Sequence, residues 1–163
     1  MMRSMTGRSD ANMRHVLTFV LRSISPFQVL QSAHISHGKA NLMAVVLCTG
    51  SDPVLMKTRQ MILESAGHKT LSAGSGGEVE ILCSAFTFHV AVLGQSSAPN
   101  LKRETLVAVR RSCPTAKVLE LYPPHIGRVL DNADAWLEMP PETPDMLIKA
   151  VDRLATMCGA EKS

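Results

Sequence analysis

The chain has 163 residues, 45% hydrophobic and 19% charged, enough for one domain with a sizeable core and too few for two comfortable ones. Its formal net charge of +3 sits at the front: residues 1–41 carry Arg3, Arg8, Arg14, Arg22 and Lys39 against Asp10 alone, whereas residues 42–163 hold 12 basic and 13 acidic residues. The body of the chain therefore offers no electrostatic reason for a nucleic-acid partner, and no apolar run approaches the roughly 18 residues of a membrane span.

Residues 1–41 are rich in Arg, Ser, His and Met and nearly free of acid. The apolar stretch from His15 to Leu21 is short, and Arg22 interrupts it. The composition resembles an organelle transit peptide, but no clear small-residue cleavage site follows. A disordered basic extension is one reading. A misplaced start is another, since Met43 stands where the first strand begins.

From Leu42 onward, strand-like and helix-like segments alternate. Met43–Cys48 is a continuous apolar run, as in a strand buried on both faces. Thr49–Asp52 is a turn, where Ser51 or Asp52 can cap a helix opened by Pro53. Leu55, Thr58, Ile62 and Ala66 share the inward face of that helix, and Gly67 ends it. His68–Ala73 is a weaker second strand, and Gly74–Gly77 a loop. Val79, Leu82, Cys83 and Phe86 then fall at i, i+3, i+4 and i+7 of an amphipathic helix.

Phe88–Leu93 is a third strand, with His89 near its start, and Gly94–Asn100 a polar loop. Leu101–Ser112 suits a helix with Leu101, Thr105 and Ala108 inward and the pairs Lys102–Arg103 and Arg110–Arg111 outward. Ala116–Leu121 is a fourth strand. Tyr122–His125 breaks the chain, and Ile126–Leu130 leaves room for a turn or two of helix. Ala135–Glu138 is a short fifth strand. Thr143 caps and Pro144 opens a last helix striped by Leu147, Ala150, Val151 and Leu154.

Five strands alternating with helices imply right-handed crossovers and a doubly wound parallel sheet, (βα)5 and flavodoxin-like, over residues 42–157, with 158–163 as a tail. Ligands of such sheets bind beyond the carboxyl ends of the strands. Here that mouth is built from Thr49–Asp52, Gly94–Ser97, Leu121–Pro123 and Glu138–Pro140.

Several segments together resemble the receiver domain of response regulators. Leu47–Gly67 is similar to its first βα unit, Gly77–Leu82 to its second helix, and His89–Gly94 to the third strand, which in the family ends on the phosphoacceptor Asp. Asn132–Pro140 resembles the family's Gly-Ala-x-x-Tyr-Leu-x-Lys-Pro stretch. The resemblance spans about 115 residues and implies strand order 2-1-3-4-5.

The phosphorylation chemistry does not carry over. The resemblance places the family's magnesium-binding carboxylate pair on Gly50 and Ser51, with Asp52 the only nearby acid. It places the phosphoacceptor on Gly94, the lysine on Met139, and the sensing hydroxyl on Leu121 or Tyr122 according to register. These seven positions read as a degenerate phosphorylation pocket, with no catalytic residue, metal or cofactor expected. The chain is also four or five residues short between the fourth strand and Met139, which truncates the fourth helix on a face where the family often carries output contacts.

The implied function is a pseudo-receiver of the two-component, phosphorelay class: not an enzyme, not phosphorylated, and acting through protein–protein contact. Its expected partner is a signalling protein (a kinase or an output protein) or a second copy in a homodimer, with no nucleic acid and no membrane. The alternative is a flavodoxin-like protein binding a small ligand or nucleotide at the sheet mouth. A hydrolase built on Ser96 or Ser97 with His125 lacks the G-x-S-x-G elbow, and Asp52 suits a helix cap better than a lone metal ligand. Cys48, Cys83, Cys113 and Cys158 form no C-x-x-C pattern, which argues against zinc. Cys48 and Cys83 lie in apolar runs and read as buried thiols, in keeping with a reducing cytoplasm.

Overall fold

A computed structural model describes residues 42–160. The leader, with its transit-peptide and misplaced-start readings, lies outside the described residues, as do residues 161–163. Five strands, β1 (Val45–Thr49), β2 (Lys69–Ala73), β3 (Val90–Leu93), β4 (Lys117–Tyr122) and β5 (Ala135–Glu138), form one parallel sheet in the order β2-β1-β3-β4-β5. Among the described residues four helices follow in order: α1 (Pro53–Ser65), α2 (Gly76–Ala85), α3 (Pro99–Ser112) and α4 (Asp145–Ala160). This is the flavodoxin-like arrangement that the alternating pattern predicts. Among the described residues, no helix is long and apolar enough to cross a membrane.

The sheet is buried on both faces. Val46, Cys48, Val90, Val92, Leu119, Leu121 and Leu137 meet α1 and α4 through Leu63, Leu147, Val151 and Leu154. The alternate strand residues face α2 and α3, which pack on each other. Two imidazoles fix the start of β1: Ala44 N–H donates to His68 Nδ1 at 3.2 Å and Val45 N–H to His89 Nδ1 at 3.0 Å. His89 thus sits just before β3 and holds the neighbouring strand. Gly67 takes φ +91 at the end of α1, a backbone state that favours glycine.

Five expectations need correction. The inward face of α1 is turned from the predicted one: Arg59 and Leu63 are its buried residues, while Thr58 is exposed. The Gly74–Gly77 loop already contains the start of α2. Ser75 Oγ caps Glu78 N–H at 3.3 Å and the Glu78 carboxylate accepts from Gly74 N–H at 2.7 Å, a reciprocal cap that lets the helix begin on two glycines. No helix forms between β4 and β5; the chain passes through turns instead. The last helix runs to Ala160 rather than stopping before a tail at 158, because Cys158 still packs inside. And Cys83 is not a free thiol: it is disulfide-bonded to Cys113, joining α2 to the end of α3 with a Cα–Cα distance of 5.7 Å. Cys48 and Cys158 are free and buried.

A sixth correction concerns the predicted solvated face of α3. Lys102 is only 3% exposed and Glu120, on β4, is fully buried. Lys102 Nζ donates to Glu120 Oε1 at 3.2 Å and to the Leu121 carbonyl at 2.9 Å. Glu120 also accepts from the N–H groups of Val129 and Leu130 at 3.0 Å each. The lysine turns inward because this carboxylate needs a cation, and the carboxylate is there because the helix-free β4–β5 segment needs acceptors for its amides. Arg110 is likewise half-buried, donating to Asp134 and to the Asn132 carbonyl at the far end of the same segment.

Breaking a buried pair strands the other charge without solvent. Lys102→Ala is therefore expected to lower stability by about 3–5 kcal/mol, whereas Arg103→Ala, at the exposed neighbouring position, should stay within about 0.5 kcal/mol. Urea unfolding of both variants checks this, and equal losses would remove Glu120 from its organising role.

Candidate functional site

The carboxyl ends of β1 and β3 bring together Gly50, Ser51, Asp52 and Gly94. Ser96 ties their loops: its Oγ accepts from the N–H groups of Ser51 and Asp52 at 3.2 and 3.1 Å, and its carbonyl accepts from Ser51 Oγ at 2.6 Å. Ser96 is thus a positioning group, and His125, out on the β4–β5 turns, is exposed. Asp52 caps α1 through Oδ1, accepting from Val54 and Leu55 N–H at 2.9 and 3.1 Å. Its carboxylate serves the helix end.

The remaining positions diverge. Leu121 is buried with the residues facing α1 and α4, whereas Tyr122 is half-buried at the end of β4 with the Arg128 guanidinium 5.8 Å from its ring centroid. Arg128 also lies 5.0 Å from the Trp136 ring, whose Nε1–H donates to the Leu130 carbonyl at 2.9 Å. Trp136 is therefore held by the turns that replace the fourth helix. Met139 packs against the core from the end of β5, and its peptide bond to Pro140 is cis.

One residue that the sequence pattern did not single out dominates the mouth. Arg59 is 3% exposed and reaches from α1 over the two glycines. A Cβ placed on Gly94 would meet Arg59 Nη1 at 2.5 Å and the Thr49 carbonyl oxygen at 2.6 Å; one on Gly50 would meet Ser96 Oγ at 3.2 Å and Met56 Cγ at 3.3 Å. Arg59 Nη2 donates to Gln95 Oε1, while Nε and Nη1 are buried without a hydrogen-bond partner. Burial pulls the guanidinium below its ordinary pKa, with the Cys48 thiol and Asp52 pulling the other way. Arginine starts so high that it stays a cation. Burial likewise pushes the Cys48 thiol up to about 12, partly offset by Arg59, so that sulfur is neutral and inert. The legible signal was Arg59 itself, four residues from both Leu55 and Leu63 on one helical face.

The magnesium ion that the resemblance implies does not fit these residues. The phosphoacceptor position has no side chain and no space for one, the sole nearby carboxylate is spent on a helix cap, and a guanidinium stands where a cation's charge would be. Among the described residues, no group of three or more His, Cys, Asp or Glu is placed to hold a metal.

Crowding at Gly94 is directly measurable. Gly94→Ala is expected to cost about 1–3 kcal/mol by overpacking. Adding Arg59→Met should recover only part of that, because the Thr49 carbonyl still blocks the new methyl. A chemical denaturation cycle over the single and double variants reads the coupling; strict additivity would mean Arg59 does not fill this space.

No family model matches the chain, and no match was found among curated proteins. Solved structures do match. The signal receiver domain of a putative Luxo repressor protein from Vibrio parahaemolyticus superposes with a TM-score of 0.62 at 13% identity, covering 74% of this chain and 96% of that one. The chemotaxis protein CheY4 of Vibrio cholerae gives 0.58 at 22% identity, covering 69% and 99%. A CheY-like response regulator receiver domain protein from Methanospirillum hungatei gives 0.61 at 17% identity, covering 71% and 97%. Sheet order, crossovers and these superpositions agree that residues 42–160 have the fold of a response-regulator receiver domain.

Proposed function

We propose that this chain is a receiver-class signalling module of the two-component, phosphorelay type that is not phosphorylated and acts by protein–protein contact. The observation that carries this reading is the Arg59 guanidinium packed 2.5 Å from where a side chain on Gly94 would begin. An acyl phosphate needs a carboxylate nucleophile and a divalent cation beside it. This mouth has a glycine, a buried arginine and Met139 instead. The scaffold around this mouth keeps its backbone amides satisfied, through Ser96, Asp52 and Glu120. A binding surface needs that scaffold and does not need the pocket. Its partner in this reading is a kinase, an output protein or a second copy, met in the cytoplasm.

Incubation with acetyl phosphate and Mg²⁺ is expected to leave the protein without acid-labile phosphate, and Mg²⁺ alone should not change the fluorescence of Trp136, the single tryptophan. Stoichiometric labelling would overturn the reading. The compartment has its own test. Thiol buffering in cytoplasm works against the Cys83–Cys113 disulfide that the structure carries, so on the cytoplasmic reading that bond is open in the cell and alkylation in urea of protein taken from unreduced lysate should find all four cysteines free. Two free thiols, Cys48 and Cys158, would instead indicate an oxidising setting.

A further inference from the structure

The Cys83–Cys113 bond joins residues 30 apart in sequence and encloses β3 and α3 between them, with a Cα–Cα distance of 5.7 Å that is ordinary for a disulfide. We propose that this pair is a reversible redox site: a low-molecular-weight disulfide closes it, a dithiol opens it, and the change governs whether α2 stays on the sheet. The inference concerns α2 rather than the mouth, and it does not depend on the contact-module reading.

Among the four helices, α2 is the one least able to hold itself. It has 10 residues against 13, 14 and 16 for α1, α3 and α4, and it begins on Gly76 and Gly77. Its buried residues are Val79 and Leu82. Those of α3, on which it packs, are Lys102, Thr105, Ala108 and Val109, and Lys102 is committed to Glu120. The ion pair of Arg111 with Glu80 also joins the two helices, but both side chains are well exposed, so it adds little. The disulfide is thus a large share of what keeps α2 in place. Beneath α2, Leu71 and Ala73 of the edge strand β2 lie level with Leu47 and Thr49 of β1, on the face that α2 and α3 cover. Both are buried while α2 is docked. Lifting α2 uncovers them, so the state of one bond sets how much apolar surface this edge of the sheet presents.

Access favours exchange at this pair. Cys83 is half-buried, so it is the sulfur that a reagent meets first, whereas the free thiols Cys48 and Cys158 are buried and do not compete. In opening, one thiolate of the dithiol attacks the Cys83 sulfur, the Sγ–Sγ bond breaks, and Cys113 leaves as a thiolate that takes a proton. The second thiol of the reagent then displaces Cys83, so the reagent departs as its own disulfide and both cysteines are reduced. Closing runs the other way: the two cysteines lose two electrons and two protons, and the external disulfide takes them up and leaves as two thiols.

The test uses the purified full chain, dithiothreitol and oxidised glutathione as the two reagents, and a protease that cuts after glutamate. The helix α2 holds Glu78 and Glu80, and α1, on the other face of the sheet, holds Glu64. Without denaturant, dithiothreitol is expected to open the bond and oxidised glutathione to close it again, followed by alkylation and peptide mass. Cleavage after Glu78 and Glu80 should be at least about tenfold faster in the reduced chain, with a much smaller rise after Glu64. Cys83→Ser and Cys113→Ser should each be cut like the reduced chain under either reagent; should they fail to fold, the two states of the wild type decide. A bond that opens only in urea is a fixed staple and overturns the proposal, as does a pair that oxidised glutathione fails to close. Equal cleavage of α2 in both states, or cleavage that rises in step with that after Glu64, overturns it as well. None of these results touches the labelling on which the signalling reading rests.

Discussion

The Glu120 carboxylate is the constraint around which the carboxyl half of the domain is arranged. It is fully buried at the middle of the sheet's second half, bound by Lys102 from α3 and by the amides of Val129 and Leu130. A helix between β4 and β5 would satisfy its own amides. Without one, the chain must cross the sheet as turns, and amides that pass over a buried surface need acceptors from elsewhere. Glu120 provides them, Lys102 neutralises Glu120, and the Leu121 carbonyl takes another Lys102 proton. The segment then delivers Leu130 to receive the Trp136 indole N–H, which fixes the start of β5 and so the course of Met139 toward the mouth.

The mouth obeys a second packing rule. Gly50 and Gly94 are the residues just past the ends of β1 and β3, on the side that faces α1. With no side chains there, a long residue on α1 can lie flat across both. Arg59 does so, and its buried aliphatic stem fills what would otherwise be a void under the helix. The glycines and the arginine are therefore mutually dependent: a carboxylate at Gly94 would need the arginine gone, and a smaller residue at 59 would leave the glycines uncovered. The two glycines are thus one half of a packing arrangement whose other half is a cation.

Much of the fold could be read from the sequence because a parallel sheet writes itself plainly. Val45–Cys48, Val90–Leu93 and Val118–Leu121 are continuous apolar runs, or nearly so, and the Leu147–Leu154 stripe is an unmistakable helical face. What could not be read is what depends on partners far apart in sequence. Lys102 looks like one member of a solvated basic pair until Glu120, 18 residues on, is seen to lie beneath it. Cys83 has the spacing of a packed thiol, and only the meeting of α2 with the end of α3 brings Cys113 to it. At the candidate site, the glycines were legible as departures from the receiver pattern, but the residue occupying their space was not. Periodicity scores apolar residues, so it favours the helix face through Thr58, one step to the side of Arg59. The Ser75–Glu78 cap, by contrast, was written locally as Ser-x-x-Glu and needed no tertiary information.

Two buried cations in one small domain invite comparison, and the difference between them separates structure from site. Lys102 meets a carboxylate and a backbone carbonyl. Such a group is complete; removing it only damages the fold. Arg59 meets an amide oxygen, retains two bare nitrogens and borders a cavity with apolar walls. Among the described residues, the same fold pairs one charge fully and leaves the other short of partners. An incomplete charge persists in a packed interior when something outside the chain completes it, or when its stem contributes enough packing to outweigh its desolvation. These two causes differ in what the arginine head does: packing alone is kept by a long neutral side chain at position 59, whereas recognition is lost with the charge.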